Sequence, residues 1–272
     1  MAHRTEQDVK SQSRLEKIQS FVIIFIIVPT YYLIGMVLGL PKLLKLSFIS
    51  RCTYYLHSIF GTYCFINVAG NLILSFLTDS RLKDYHGPGT YCQYCKQNRP
   101  AEAWHCKVCN ACIIRRDHHC CLLAHCIGRK NIRYFICMLG HLAISMVYCM
   151  YYNFLVIYSE FDVTSFMQTV LIILKPYLII NVPNPPDFEG ILFVLVWLVD
   201  LLCLPSSMYF CFVHMRNVVL GVTANQYLKG KAPSKARLTS KLEYVFGTRW
   251  YLAMIWPFVE SPLPDKYRIQ ID

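Results

Sequence analysis

Apolar residues in this chain gather into long blocks separated by polar stretches, and the blocks are of helical rather than strand length. Residues 21–40 contain no charged side chain, and about 20 apolar residues let a helix cross roughly 30 Å of hydrocarbon. Residues 53–77, 134–158 and 191–213 are of similar length with few ionisable groups, so the pattern predicts four membrane-spanning helices. A fifth apolar stretch, 165–182, contains Gln168, Lys175 and Pro176. Because proline removes a helical hydrogen bond, that stretch is expected to be a helix or re-entrant piece on the far side of the membrane. The polar segment between the second and third blocks carries Gly87, Pro88, Gly89 and Pro100 and has too few apolar residues to build a core alone.

Composition and charge sharpen this picture. Hydrophobic residues make up 55% of 272 and the mean hydropathy is +0.37, well above a soluble domain, so the chain reads as a polytopic membrane protein. Ten Lys or Arg fall in 78–134, nine in 214–272 and only Lys175 in 158–190. The positive-inside rule then puts the segment after the second span, the C-terminal tail and both termini in the cytosol. The divisions expected are 1–77 (N-terminus and spans one and two), 78–133 (cytosolic cysteine-rich domain), 134–213 (spans three and four with a lumenal loop) and 214–272 (cytosolic tail). The net charge of +11 flanks the spans, where anionic headgroups account for it, and nucleic acid is not expected as a partner. The first block is too long for a secretory signal and lacks a small-residue cleavage pattern. No internal repeat, low-complexity tract or terminal lipidation motif is evident.

Fourteen cysteines would suggest disulfides in a small secreted domain, but the dense cluster lies in a segment assigned to a reducing compartment, so metal is the better explanation. Cys92, Cys95, Cys106, Cys109, Cys112 and Cys126 offer six thiolates, and His105 with one of His118 or His119 offers two imidazoles. Eight such ligands fill two closed tetrahedral zinc sites. Zinc binding would supply the folding energy that the missing core cannot. Asp117, one histidine, Cys120 and Cys121 are left over and form a candidate catalytic set, because an imidazole beside a thiol can take its proton and a carboxylate can orient the imidazole.

The motif C-x2-C-x3-R-P-x2-A-x-H-C-x2-C-x2-C-x4-D-H-H-C-x5-C-x4-N-x3-F runs from Cys92 through Arg99, Pro100, Ala103, Asp117, Cys120 and Asn131 to Phe135, and with it the chain resembles the DHHC-type protein S-acyltransferases (palmitoyltransferases). The resemblance implies an all-α polytopic membrane protein with four transmembrane helices and a small cytosolic two-zinc domain between helices 2 and 3. It groups Cys92, Cys95, His105 and Cys112 on one zinc, and Cys106, Cys109, His119 and Cys126 on the other. Cys120 is then the nucleophile, His118 its base and Asp117 the orienter of His118. The activity implied moves a long fatty acyl group from acyl-CoA, through an acyl-enzyme on Cys120, to membrane-proximal cytosolic cysteines of substrate proteins. Each buried methylene of that chain gains about 0.8 kcal/mol, which suits a cavity among the helices. Arg115, Arg116, Arg129 and Lys130 are candidate contacts for the CoA phosphates, and membrane lipid is the other expected partner. An endomembrane, ER or Golgi, is the expected location.

Several positions depart from that family's usual pattern. Cys121, Leu122 and His125 stand where Pro, Trp and Asn are common, and Cys121 is expected to be a small buried residue in the proline's place rather than a second acyl acceptor. The T-T-x-E motif becomes Thr223, Ala224, Asn225 and Gln226, and Lys241 replaces a common Asn. These losses motivate an alternative, a catalytically weakened membrane zinc scaffold or partner of another acyltransferase. A RING-like ubiquitin ligase is disfavoured because the C-x2-C steps after His105 are too tightly spaced. Asp200, costly within a span, is expected to bond Asn67, Asn71 or His141. His57 and His214, near span ends, are expected to have no special role.

Overall fold

The structure, a computed structural model, describes residues 6–83, 85–160, 167, 169–170 and 188–264. The apolar stretch 165–182 lies, but for three residues, outside that set. Among the described residues, four helical runs are long and apolar enough to cross a membrane: Arg14–Lys45, Arg51–Leu77, Ile132–Ser159 and Phe188–Leu220. They enclose the four predicted blocks, closely for the second and third and with longer extensions for the first and fourth. The first run opens with α1 (Glu6–Val22) and widens into π-helix at Ile23–Ile27 and again at Leu33–Gly39. Each wide turn is followed by a helix with proline in its first turn, Pro29 and Pro41, and widening relieves the clash a proline ring makes with the preceding turn.

The described chain divides into two compact units, one formed by 1–26, 67–139 and 210–272, the other by 27–66 and 140–209. The second unit is helical, with a core of Ile34, Leu43, Val156, Ile157, Phe193, Val194 and Val196. Gly39 allows close packing there: a Cβ at that position would stand 3.2 Å from the Phe193 ring. Asp200 is fully buried in this unit and is bonded by the Tyr31 hydroxyl and, at 3.3 Å, by Asn153 Nδ2. These, and not Asn67, Asn71 or His141, are its partners, because the intervening helices bring Tyr31 and Asn153 to its depth. His57 likewise has a partner, the Tyr152 hydroxyl at 2.6 Å from Nε2.

In the first unit the cysteine-rich segment, expected only as a turn-rich zinc domain between helices 2 and 3, is built of three antiparallel hairpins. They are β1–β2 (Thr90–Cys92, Gln97–Arg99), β3–β4 (Ala103–Cys106, Ala111–Ile114) and β5–β6 (His118–Cys120, His125–Ile127). None is long enough to stand alone in water. Asn131, fully buried just before the third span, fastens the third hairpin and Ser80 there: its amide oxygen accepts from Gly128 N (2.8 Å) and Ser80 Oγ (3.0 Å), and Nδ2 donates to Cys126 O (3.1 Å). The tail packs Leu242, Val245 and Phe246 of the helix Leu238–Phe246 against Ile136, Cys137 and Val218. That helix stops at Gly247, whose φ of 90° favours glycine. Lys241, in place of the common asparagine, donates to the Val219 carbonyl at 2.8 Å, a favourable use of a cation at a helix C-terminus.

Candidate active site

The three hairpins repeat one design at a spacing of fourteen residues, an internal repeat that the sequence pattern did not reveal. Cys92, Cys106 and Cys120 each end the first strand, paired with Gln97, Ala111 and His125. Four loop residues follow, the last being Lys96, Asn110 or Ala124, all with positive φ between 46° and 53°. In the first two hairpins the third residue after that cysteine is again cysteine, Cys95 and Cys109. In the third it is Leu123. The next regularity is across the strands: His105 faces Cys112 and His119 faces Cys126.

Each two-cysteine turn is closed by the cross-strand pair of the hairpin that follows. Cys92 and Cys95 gather with His105 and Cys112, and Cys106 and Cys109 with His119 and Cys126, with the donor atoms of each set within 4.8 Å of one another. The dimensions suit zinc. Ligands at about 2.3 Å for sulfur and 2.0–2.1 Å for nitrogen around a tetrahedron would be about 3.5–3.8 Å apart. Cys109 and Cys126 sulfurs are 3.6 Å apart, His119 Nδ1 lies 3.2, 3.7 and 3.7 Å from Cys109, Cys106 and Cys126, and Cys95 is 3.3 Å from His105 Nδ1. Both clusters can therefore hold a metal ion. The third turn has Leu123, not cysteine, at the ligand position, and no hairpin follows it, so Cys120 is left over from both clusters.

Strand alternation separates the two adjacent histidines. Residues one apart on a strand face opposite sides and residues two apart share one, so His119 turns to the second cluster while His118 and Cys120 share the other face. His118 Nδ1 is 2.9 Å from Asp117 Oδ2, and Cys120, itself buried, stands two residues on along the same strand face. Burial opposes charge on His118, but bonding to Asp117 and Cys120 outweighs it and raises the pKa to about 9. Asp117 moves the other way. Burial would raise it, yet His118, His214 and the Ala224 N–H hold it below the usual carboxylate range.

The Asp117 carboxylate is gripped from the far side by the tail. Its Oδ1 accepts from Ala224 N at 2.7 Å, while Thr223 caps the helix Ala224–Leu228 in a capping box with Gln226 and donates to Arg116 O at 3.3 Å. The altered T-T-x-E sequence thus keeps its hold, since a backbone amide serves Asp117 and glutamine completes the cap as glutamate would. His214 is a correction: it is buried, with Nδ1 3.4 Å from Asp117 Oδ2 and its ring 5.4 Å from that of His118. Phe135 stands against both imidazoles, 5.1 and 5.2 Å between centroids. Asp117, His118 and His214 also form a three-donor set, but their mutual contacts account for the arrangement without an ion. Residue 214 lies nine positions before Thr223, and only the fold shows that this interval returns it to Asp117.

Other candidates scatter. Arg115 and Arg129 stack on one ring, Tyr244, at 4.1 and 4.2 Å, while burial works against the charge on Arg116 but the neighbouring Cys126 and Cys106 sulfurs favour it, and Lys130 is exposed. Arg115 also lines a cavity of about 300 Å³ with Lys231, Lys241, Glu102 and Tyr244. Cys121 is exposed, not buried, because it opens the turn after β5. His125 lies between the carbonyls of Leu123 and Ser75, 2.9 Å from each. Glu16 was unforeseen: its carboxylate lies 2.9 Å from His119 Nε2.

Four apolar helices, two partly buried Cys/His clusters, and Cys120 and His118 on one strand with Asp117 just before it are the marks of a membrane-embedded thiol acyltransferase. Residues 86–231 match the family described as DHHC palmitoyltransferase, and the chain belongs to that family of protein S-palmitoyltransferases. It is similar to the probable palmitoyltransferase ZDHHC24 of Rattus norvegicus, 29% identical over 217 residues that cover 75% of this chain and 74% of that one. For ZDHHC24 of Homo sapiens the figures are 27% over 212 residues, 73% and 72%. The palmitoyltransferase ZDHHC9 of Homo sapiens is 34% identical over 80 residues, 29% of this chain and 22% of its own.

Proposed function

We propose that this protein transfers a long fatty acyl group from acyl-CoA to protein cysteines through a thioester on Cys120. The observation that carries the reading is His118 held at Nδ1 by Asp117 at 2.9 Å, with the buried Cys120 on the same strand face. His118 takes the Cys120 proton as the sulfur attacks the thioester carbonyl. The bond to the CoA sulfur breaks, and the proton passes to the departing thiolate. In the second half an acceptor cysteine gives its proton to His118, attacks the Cys120 thioester, and Cys120 leaves to recover that proton. One thioester replaces another, so no other energy source is required. Asp117 holds the imidazole in the useful tautomer and stabilises its cationic form, with His214 positioned behind it.

The clusters Cys92/Cys95/His105/Cys112 and Cys106/Cys109/His119/Cys126 hold two structural zinc ions in this reading, and zinc supplies folding energy there. Arg115, with Lys231 and Lys241 around the 300 Å³ cavity, supplies cations for the CoA phosphates. Arg129 shares the Tyr244 ring with Arg115, whereas Arg116 serves the thiols. In this reading the cysteine-rich hairpins and both termini are cytosolic, which the positive flanks support, the membrane is an endomembrane, and the acceptors are membrane-proximal cysteines. The scaffold alternative loses its motive, because Ala224, Gln226 and Lys241 all make the contacts described above.

The test is incubation of purified protein with labelled acyl-CoA. A hydroxylamine-labile label is expected on the wild type and none on Cys120→Ser, which should keep both metals. Equal labelling of that variant would overturn the mechanism.

A further inference from the structure

His119 uses both ring nitrogens. Nδ1 faces the Cys106, Cys109 and Cys126 sulfurs at 3.2–3.7 Å, and Nε2 lies 2.9 Å from Glu16 Oε2. Glu16 comes from the N-terminal helix, 103 positions earlier, and is only 5% exposed. A carboxylate so buried is costly unless it is bonded, and the imidazole N–H is the donor it meets. The contact is one of a series. One turn along, buried Ser20 donates to the Leu122 carbonyl at 2.6 Å, and one turn further Ile24 is buried as well. Positions 16, 20 and 24 share one helix face, which therefore lies along the third hairpin.

We propose that Glu16 is a positioning residue for the second metal cluster: its carboxylate accepts the Nε2 proton of His119, so that Nδ1 is the nitrogen left to bind metal, and it fixes the ring's orientation. A carboxylate behind a metal-bound histidine raises ligand basicity, and its loss commonly weakens metal binding about 10–100-fold. The assignment rests on the reading that Cys106, Cys109, His119 and Cys126 bind zinc. It also ties the start of the first membrane helix to the catalytic strand, since His119 lies between His118 and Cys120. The first cluster is held differently, its His105 ring stacking on Tyr94 at 4.7 Å and only half-buried, so that site serves as an internal control.

The experiment is zinc content of the full-length protein in detergent, followed as a competing chelator is raised. Two zinc ions on the wild type support the underlying reading, and fewer would sink that reading itself. Glu16→Ala should release one ion at roughly 10–100-fold lower chelator and keep the other at the wild-type concentration. Glu16→Gln, which retains an acceptor oxygen and the side-chain volume, should fall between the two. Release of both ions from Glu16→Ala at wild-type concentrations overturns the proposal. So does loss of both ions from Glu16→Ala and Ser20→Ala alike, which would make the helix a general brace.

Discussion

The second and third hairpins are built on the same frame and part company at one position. H-C-x2-C-x2-C at 105–112 becomes H-C-x2-L-x2-C at 119–126. In the second hairpin Cys106 and Cys109 both turn to a metal cluster completed by the hairpin that follows. In the third, Leu123 is buried to 1% and no further hairpin follows, so Cys120 keeps its sulfur for His118. In the proposed mechanism the nucleophile therefore occupies the strand-end position that a proposed zinc ligand holds in the second hairpin, and lacks the thiol three residues on and the closing pair.

That comparison can be broken most severely by making the second hairpin like the third. Cys109→Leu should leave one tightly held zinc per chain. Since a structural site contributes about 10–16 kcal/mol to folding, acyl loading should fall to background and the hairpins should become protease-sensitive. Metal analysis alongside limited proteolysis checks this, and wild-type zinc content would refute it.

Asp117→Asn sharpens the catalytic side of the comparison without touching a metal ligand. Loading should drop by about 10²–10⁴-fold, and the pH response should change. His118 is raised from 6.5 to about 9, so its pairing stabilises the fold fully below about 6.5 and is lost as pH climbs through about 9. Without the Asp117 charge that loss should begin at lower pH, measurable by thermal unfolding across this range. An unchanged alkaline limb would remove Asp117 from its role.

His214→Gln should be milder, about tenfold in the loading rate, with a displaced pH profile because one of the groups flanking Asp117 is changed. A tenfold loss with an unmoved profile would indicate packing alone. Smallest of all should be Asp200→Asn in the helical unit. An amide can still accept from Tyr31, so about 1 kcal/mol of stability and no change in zinc content are expected in a denaturation series.

Much of this was legible from residue order. Span length is a local property of apolar runs, so four helices follow from the blocks, and ligand spacing predicted two metal clusters. The hairpins were not legible, because strands of three or four residues held by ligands leave no alternating pattern to detect. Nor was the repeat, since Leu123 interrupts its clearest mark. Choosing between His118 and His119 required knowing that residues 118–120 are extended, and with that the strand's two faces divide them.

Residue order by itself determined that the chain crosses a membrane and carries thiols and imidazoles enough for two zinc sites, because hydrophobic length and ligand count depend only on composition along the chain. Tertiary structure decided which groups meet: Glu16 with His119, Ala224 and His214 with Asp117, and Tyr31 with Asp200. Those encounters join residues up to 169 positions apart, and buried polar groups find such partners only when packing brings distant segments to the same depth.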